Sequence, residues 1–147
     1  MSTPNPAGVP PSGAPGGKTS LGLESNIGAM LCYIANFLCC IGLVLAIIFL
    51  ITEKENRFVK FHALQSLFLA LVQIGVVIIL EILNIIVGIV LGMINLGWLS
   101  GLFTWVFGCI LFLIFTLFWI IAGIKAYGGQ WYKLPVIGAP AFNIANK

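Results

Sequence analysis

TEKENRFVKFHALQS, residues Thr52–Ser66, lies between two long apolar runs, and its reading decides the fold. It carries five of the chain's eleven charged residues (seven basic, four acidic) and the lone histidine. Charge gathered in a short segment between apolar runs reads as a water-exposed connector between membrane helices. Lys and Arg close to span ends set the side of the bilayer on which such a connector stays.

The run before the connector is IGAMLCYIANFLCCIGLVLAIIFLI, Ile27–Ile51. As one helix it would measure about 37 Å at 1.5 Å per residue, enough for a tilted crossing of a bilayer core of about 30 Å. After the connector the chain is apolar from Ala63 to Leu96, broken by Gln65, Ser66, Gln73, Glu81, Asn84 and a few glycines. That is too long for one span and too short for two with a loop. The pattern predicts a second helix over about 61–88 and a third over about 102–124. Between them Asn95, Gly97, Ser100 and Gly101 supply turn chemistry, and Trp98 suits the headgroup level. Whether 89–101 is a turn, a re-entrant segment or part of a further helix stays open. The third helix is expected to stop at Lys125-Ala-Tyr-Gly-Gly, with Gly128 in a left-handed cap.

The expected fold class is therefore all-α, an integral membrane bundle of three transmembrane helices with a disordered N-terminal tail. Of 147 residues, 61% are hydrophobic and 7% charged, against about 25% charged in soluble domains. A single soluble core could not hide that much apolar surface. Residues 1–22, rich in Pro and Gly, read as the tail; 23–134 form the transmembrane domain, and 135–147 a cytoplasmic C-terminal tail. A net charge of +3, spread along the chain, gives no reason to expect nucleic acid as a partner. Cys32, Cys39, Cys40 and Cys109 all lie in apolar runs and read as small hydrophobes. With no metal-site spacing and no cofactor motif, no metal and no cofactor are expected.

Orientation follows from the basic residues. With three spans, Lys54, Arg57, Lys60, Lys125, Lys133 and Lys147 share one side and Lys18 takes the other. Four spans would divide them three against four. The count favours three spans in the cell membrane, with the N-terminus outside and the C-terminus cytoplasmic.

Within the second helix, His62, Ser66, Gln73 and Asn84 fall within about 40° of one another at 100° per residue, and Glu81 lies about 60° further round. Polar groups in a membrane helix face protein or water, since lipid leaves them unpaired. The stripe reads as interhelical hydrogen bonding or as the wall of a hydrophilic path. Glu81, far along the helix, reads as an interfacial or paired glutamate. Gly88 and Gly92 on the second helix, and Gly101, Thr104, Gly108, Thr116 and Gly123 on the third, mark close helix packing within the chain or between copies. His62 reads as an interfacial hydrogen-bonding group. Nothing pairs a nucleophile with a base, so no enzyme is expected.

Two segments together, ENRFVKFHALQS and GGQWYKLPVIG, resemble the Tic-twenty-like family of small prokaryotic membrane proteins. That group is related to the membrane subunit of the chloroplast inner-envelope import translocon and to magnetosome membrane proteins. The resemblance covers roughly Leu21–Gly138. Its pattern falls on Glu55, Phe58, Val59, Phe61, His62, Gln65, Tyr132, Leu134, Pro135 and Gly138. It implies a multi-pass helical domain; the plastid member is associated with protein import and drawn with four spans, a departure from the three counted here. Both motifs are expected at the cytoplasmic face, with Phe58, Phe61, Trp131 and Tyr132 among headgroups, where the two segments can pack together. The expected function is a non-enzymatic, self-associating scaffold or assembly partner. Its expected partners are the lipid bilayer, further copies of the chain and proteins at the cytoplasmic face. The alternative is a channel or translocon-type component with the polar stripe lining its path.

Overall fold

A computed structural model of the chain describes residues 17–38, 41–54 and 56–147. Residues 1–16 of the expected tail, the Cys39–Cys40 pair and the motif residue Glu55 lie outside the described residues. Among the described residues the architecture is all-helical: α1 (Ser25–Ile34), a 3-10 turn (Ala35–Leu38), α2 (Ile41–Thr52), α3 (Arg57–Gly92), α4 (Trp98–Tyr127) and α5 (Gly138–Ala145). The β-type pairing is limited to an isolated bridge between Lys18 and Glu24.

The continuous first span expected over 27–51 is not formed. Its residues make α1 and α2, which double back on each other. Gly28, early in α1, lies where an added Cβ would sit 3.4 Å from the ring of Phe49, late in α2. At the other end a Cβ on Gly42 would collide with the backbone and side chain of Asn36. Asn36 breaks the run because its amide Nδ2 donates to the Cys32 carbonyl at 2.9 Å, satisfying a group at the end of α1. Each arm is short, about 15 and 18 Å, so neither crosses a core of about 30 Å alone. Only α3 and α4, about 54 and 45 Å by the same rise, are long and apolar enough to span a membrane. The structure thus provides two candidate spans where three were counted.

Residues 17–24, expected within or beside the disordered tail, are built into this hairpin's base. The Ser20 N–H donates to Glu53 Oε1 at 2.6 Å, and Ser20 Oγ donates to the Thr52 carbonyl at 2.9 Å. Ser25 N–H donates back to the Gly17 carbonyl at 2.7 Å. Glu53, part of the charged connector, is buried by this contact.

The chain divides into two compact units, residues 1–68 with 119–147, and residues 69–118. The first holds the buried core, including Tyr33, Phe49, Phe58, Phe61 and Trp119. It also holds all seven basic residues, Lys18, Lys54, Arg57, Lys60, Lys125, Lys133 and Lys147. The second has no Lys or Arg, and Glu81 is its one charged residue. Its Ile78, Ile79, Ile82, Ile85, Ile86 and Ile89 are exposed, as a lipid-facing surface requires.

Both long helices end in the same way. Asn95 takes a left-handed conformation (φ 59°), with Asn95 N–H on the Gly92 carbonyl and Leu96 N–H on the Leu91 carbonyl. At the end of α4 the corresponding residue is Gly129 (φ 70°), one beyond the Gly128 expected. Gly129 N–H donates to the Ala126 carbonyl and Gln130 N–H to the Lys125 carbonyl. This paired pattern satisfies the last carbonyls of each helix. The segment 89–101 is accordingly continuous α3 to Gly92, a tight turn, and α4 from Trp98.

Two glycine substitutions of identical chemistry should move stability in opposite directions. Gly42→Ala overpacks Asn36 and should cost about 1–3 kcal/mol. Gly75→Ala, whose Cβ meets nothing within 4 Å, should stabilise α3 by about 0.5–1 kcal/mol. Thermal unfolding of the detergent-solubilised variants reads both; a neutral Gly42→Ala would contradict the tight hairpin turn.

Candidate functional site

The site grows from the start of α3. Asn56 caps the helix, its Oδ1 accepting the Val59 N–H at 3.2 Å, while its Nδ2 donates to Ser25 Oγ. From that fixed start, Phe58, Phe61, His62 and Gln65 follow at three- and four-residue steps and share one face. All four are fully buried. The expected placement of Phe58 and Phe61 among headgroups is therefore corrected: they lie in the core of the first unit.

The rings form a box. His62 packs edge-on against Phe58 and Phe61 with centroids 4.6 and 4.8 Å apart, and Trp131 sits 5.4 and 5.3 Å from the same two phenylalanines. Helix α5 closes it: Ala141 and Ala145 pack on Phe61, and Phe142 lies 5.7 Å from Trp131. Lys133 Nζ stands 3.6 Å from the centre of the Phe142 ring, a cation–π contact. The segment 135–147, expected as a tail, is thus a packed helix and its lead-in.

Polar groups inside the box close on one another. Gln65 Oε1 accepts the Leu134 N–H at 3.1 Å. Gln65 Nε2 donates to the Tyr132 carbonyl at 3.1 Å and to Tyr33 Oη at 2.9 Å. His62 Nε2 lies 3.1 Å from the Gln130 carbonyl, and His62 Nδ1 lies 3.1 Å from Tyr33 Oη. A carbonyl can only accept, so Nε2 carries the ring hydrogen and Nδ1 accepts from the Tyr33 hydroxyl. Each donor and acceptor then has one role, and the imidazole is neutral. Ser66 Oγ turns back to the Ala63 carbonyl at 3.1 Å. With both ring nitrogens engaged, this arrangement clasps the segment after α4 to the head of α3. The two motif segments singled out in the sequence meet here.

Other motif residues act through backbone shape. Leu134 is buried, while Pro135 is exposed and its carbonyl accepts the Ile137 N–H at 2.8 Å. A Cβ at Gly138 would come within 2.7 Å of Lys133 Cα, so only glycine fits there. Tyr33 and the Gln130 carbonyl were missed by the sequence reading. A tyrosine inside an apolar run demands a partner for its hydroxyl, and that was the available signal. The polar stripe does not remain one surface. His62 and Ser66 are consumed in the first unit, whereas Gln73, Glu81 and Asn84 line a cleft of about 530 Å³ between α3 and α4 in the second. The glycines divide similarly: Gly88 faces Ser100, and Gly123 faces Tyr33 and Ile34, whereas Gly75, Gly92, Gly101 and Gly108 have open space beside them. Among the described residues, no three His, Cys, Asp or Glu side chains group as metal ligands.

Gln65→Leu keeps the bulk but strands the Leu134 N–H and the Tyr132 carbonyl, each at about 1–3 kcal/mol. Tyr33→Phe strands His62 Nδ1 and one Gln65 N–H. Because the two share a hydrogen bond, a double-mutant cycle should show coupling of about 0.5–3 kcal/mol in thermal or denaturant unfolding. Additive effects would mean the network is not connected as described.

Comparison with known proteins agrees with a membrane protein of this kind. The model of the magnetosome magnetite crystal formation protein family matches residues 24–141. A UPF0132 membrane protein of Methanocaldococcus jannaschii is 42% identical over 83% of this chain and 89% of its own length. A second from the same archaeon is 32% identical over 81% of this chain and 69% of its own. A UPF0132 membrane protein of Archaeoglobus fulgidus is 29% identical over 79% and 90%. No solved structure matches. The relatives' names and the two long apolar helices support a membrane location, and the family match covers both motifs of the clasp together with both candidate spans: this chain belongs to the magnetosome magnetite crystal formation protein family.

Proposed function

We propose that this protein is a non-enzymatic membrane scaffold that self-associates through α3 and α4. The observation that carries this reading is the set of open glycines on those helices. Beside Gly75, Gly92 and Gly101 an added Cβ would meet nothing, so the backbone there is bare to a neighbouring helix. Bare backbone permits the close approach on which membrane helix association depends. The clasp supports the same reading, since its side chains hold the fold and leave the imidazole no free nitrogen. The family's description, formation of a mineral crystal in a magnetosome, suits a protein that organises a membrane surface. Protein partners would meet it at the face carrying the basic residues.

A topology accompanies this proposal. Ser20 bonds to the connector at Glu53, and the connector's helix bonds to the segment after α4, so both termini of the described chain belong to one side. With two spans the basic residues divide seven against none, the turn between α3 and α4 having no Lys or Arg. The positive-inside rule then makes the shared side cytoplasmic. The N-terminus moves inside, in place of the outside position expected from three spans.

The alternative, a channel or a component like the plastid translocon subunit of the Tic-twenty-like resemblance, has the Gln73, Glu81 and Asn84 cleft in its favour. It loses His62 and Ser66 as path-lining groups.

Crosslinking in native membranes should yield specific dimers or larger species. Gly101→Leu should weaken them severalfold while leaving thermal unfolding of the solubilised chain unchanged; a strictly monomeric protein would end the scaffold reading. For topology, with the native cysteines replaced, cysteines at Lys18 and Lys147 should be shielded from impermeant thiol reagents in intact cells, and one at Met93 labelled. Labelling at Lys18 with Lys147 shielded would restore an odd number of spans.

A further inference from the structure

The cleft of the second unit has a chemistry of its own. Its walls are mostly apolar, with Phe103 and Phe107 among them, and its volume of about 530 Å³ falls within the range of small-molecule sites, about 300–1,000 Å³. Its polar groups are short of hydrogens. Ser100 Oγ spends its proton on the Gly97 carbonyl at 2.7 Å, and Thr104 Oγ1 spends its own on the Ser100 carbonyl at 3.0 Å. Asn84 Oδ1 is a buried acceptor without a hydrogen-bond partner. Glu81 adds a carboxylate, and the unit contains no Lys or Arg to balance it.

What remains at this cleft is therefore accepting capacity and one negative charge, set among aromatic rings. A second copy brings no counter-charge to it, because the same unit of the copy is equally without cations. Lipid tails bring neither charge nor donors. An organic cation supplies both deficits. Its apolar body fills the cleft, its N–H groups reach Asn84 Oδ1, its charge is balanced by Glu81, and aromatic faces attract it further. An acid within an apolar span is costly unless it has a partner or a task.

We propose that the α3–α4 cleft is a binding site for amphiphilic organic cations, with Glu81 as the charge partner and Asn84 as the hydrogen-bond acceptor. The site is independent of the scaffold reading and of the clasp.

The test titrates the full chain, purified in nonionic maltoside micelles, with pyrenylmethylammonium, following pyrene fluorescence against empty micelles. The neutral alcohol 1-pyrenemethanol serves as the matched probe. The ammonium should bind saturably at one per chain, and the alcohol at least tenfold more weakly. Glu81→Gln should lower ammonium affinity at least tenfold and leave the alcohol unchanged. Thr104→Leu, which narrows the cleft without touching the charge, should weaken both probes, so the proposal stays testable if the glutamine variant does not fold. Equal binding of the two probes by the wild-type protein would overturn the site. So would ammonium binding that survives Glu81→Gln, or the absence of saturable binding above micelle partition.

Discussion

A side-chain amide sealed from water must find its partners inside the protein, and Gln65 finds three. Its carbonyl takes the Leu134 N–H, and its NH2 is divided between the Tyr132 carbonyl and the Tyr33 hydroxyl. Each partner comes from a different part of the chain than α3 itself. Tyr33 belongs to the first hairpin, and residues 130–134 to the segment after α4. A buried polar group left unpaired costs about 1–3 kcal/mol, so this one residue penalises any arrangement that separates the three segments. His62, one turn earlier, repeats the constraint from Tyr33 to the Gln130 carbonyl.

The remaining packing follows from that constraint. Once residues 130–134 are held at the head of α3, Trp131 enters the space beside Phe58 and Phe61, and Leu134 is buried. Gly138 then approaches Lys133 too closely for any side chain, and α5 folds over Phe61. On the opposite flank, Asn56 fixes the start of α3 and ties it to Ser25, while Glu53 holds Ser20. The charged connector thus has a structural task in addition to anchoring: its acid and its asparagine tie down the base of the first hairpin.

Much of this was legible in the sequence, for definite reasons. Long apolar runs and a charged connector give helices and membrane residence, and α3 and α4 lie where hydropathy placed them. The meeting of the two motif segments followed from the resemblance that paired them. The first hairpin was not legible, because hydropathy averages over Asn36 and Gly42, whereas the fold depends on one side-chain amide reaching a carbonyl and one missing Cβ. The length of α3 was underestimated at its far end for a related reason: apolar residues continue without a break, and the stop is set by the left-handed Asn95. Tyr33 was passed over as one aromatic among many. The polar stripe was placed on the right helix, but a helical wheel cannot show that half of it is consumed by backbone groups distant in sequence.

The central claim is that the Gln65 amide clasps the segment after α4 to the head of α3. Hydrogen exchange at the Leu134 amide tests it most directly, because that N–H lies outside any helix and its protection depends on Gln65 Oε1. The clasp predicts that in the wild-type protein Leu134 exchanges as slowly as the amides of Phe61–Ala70, and that Gln65→Leu releases it. Exchange of Leu134 at the rate of an open loop in the wild-type protein would contradict it.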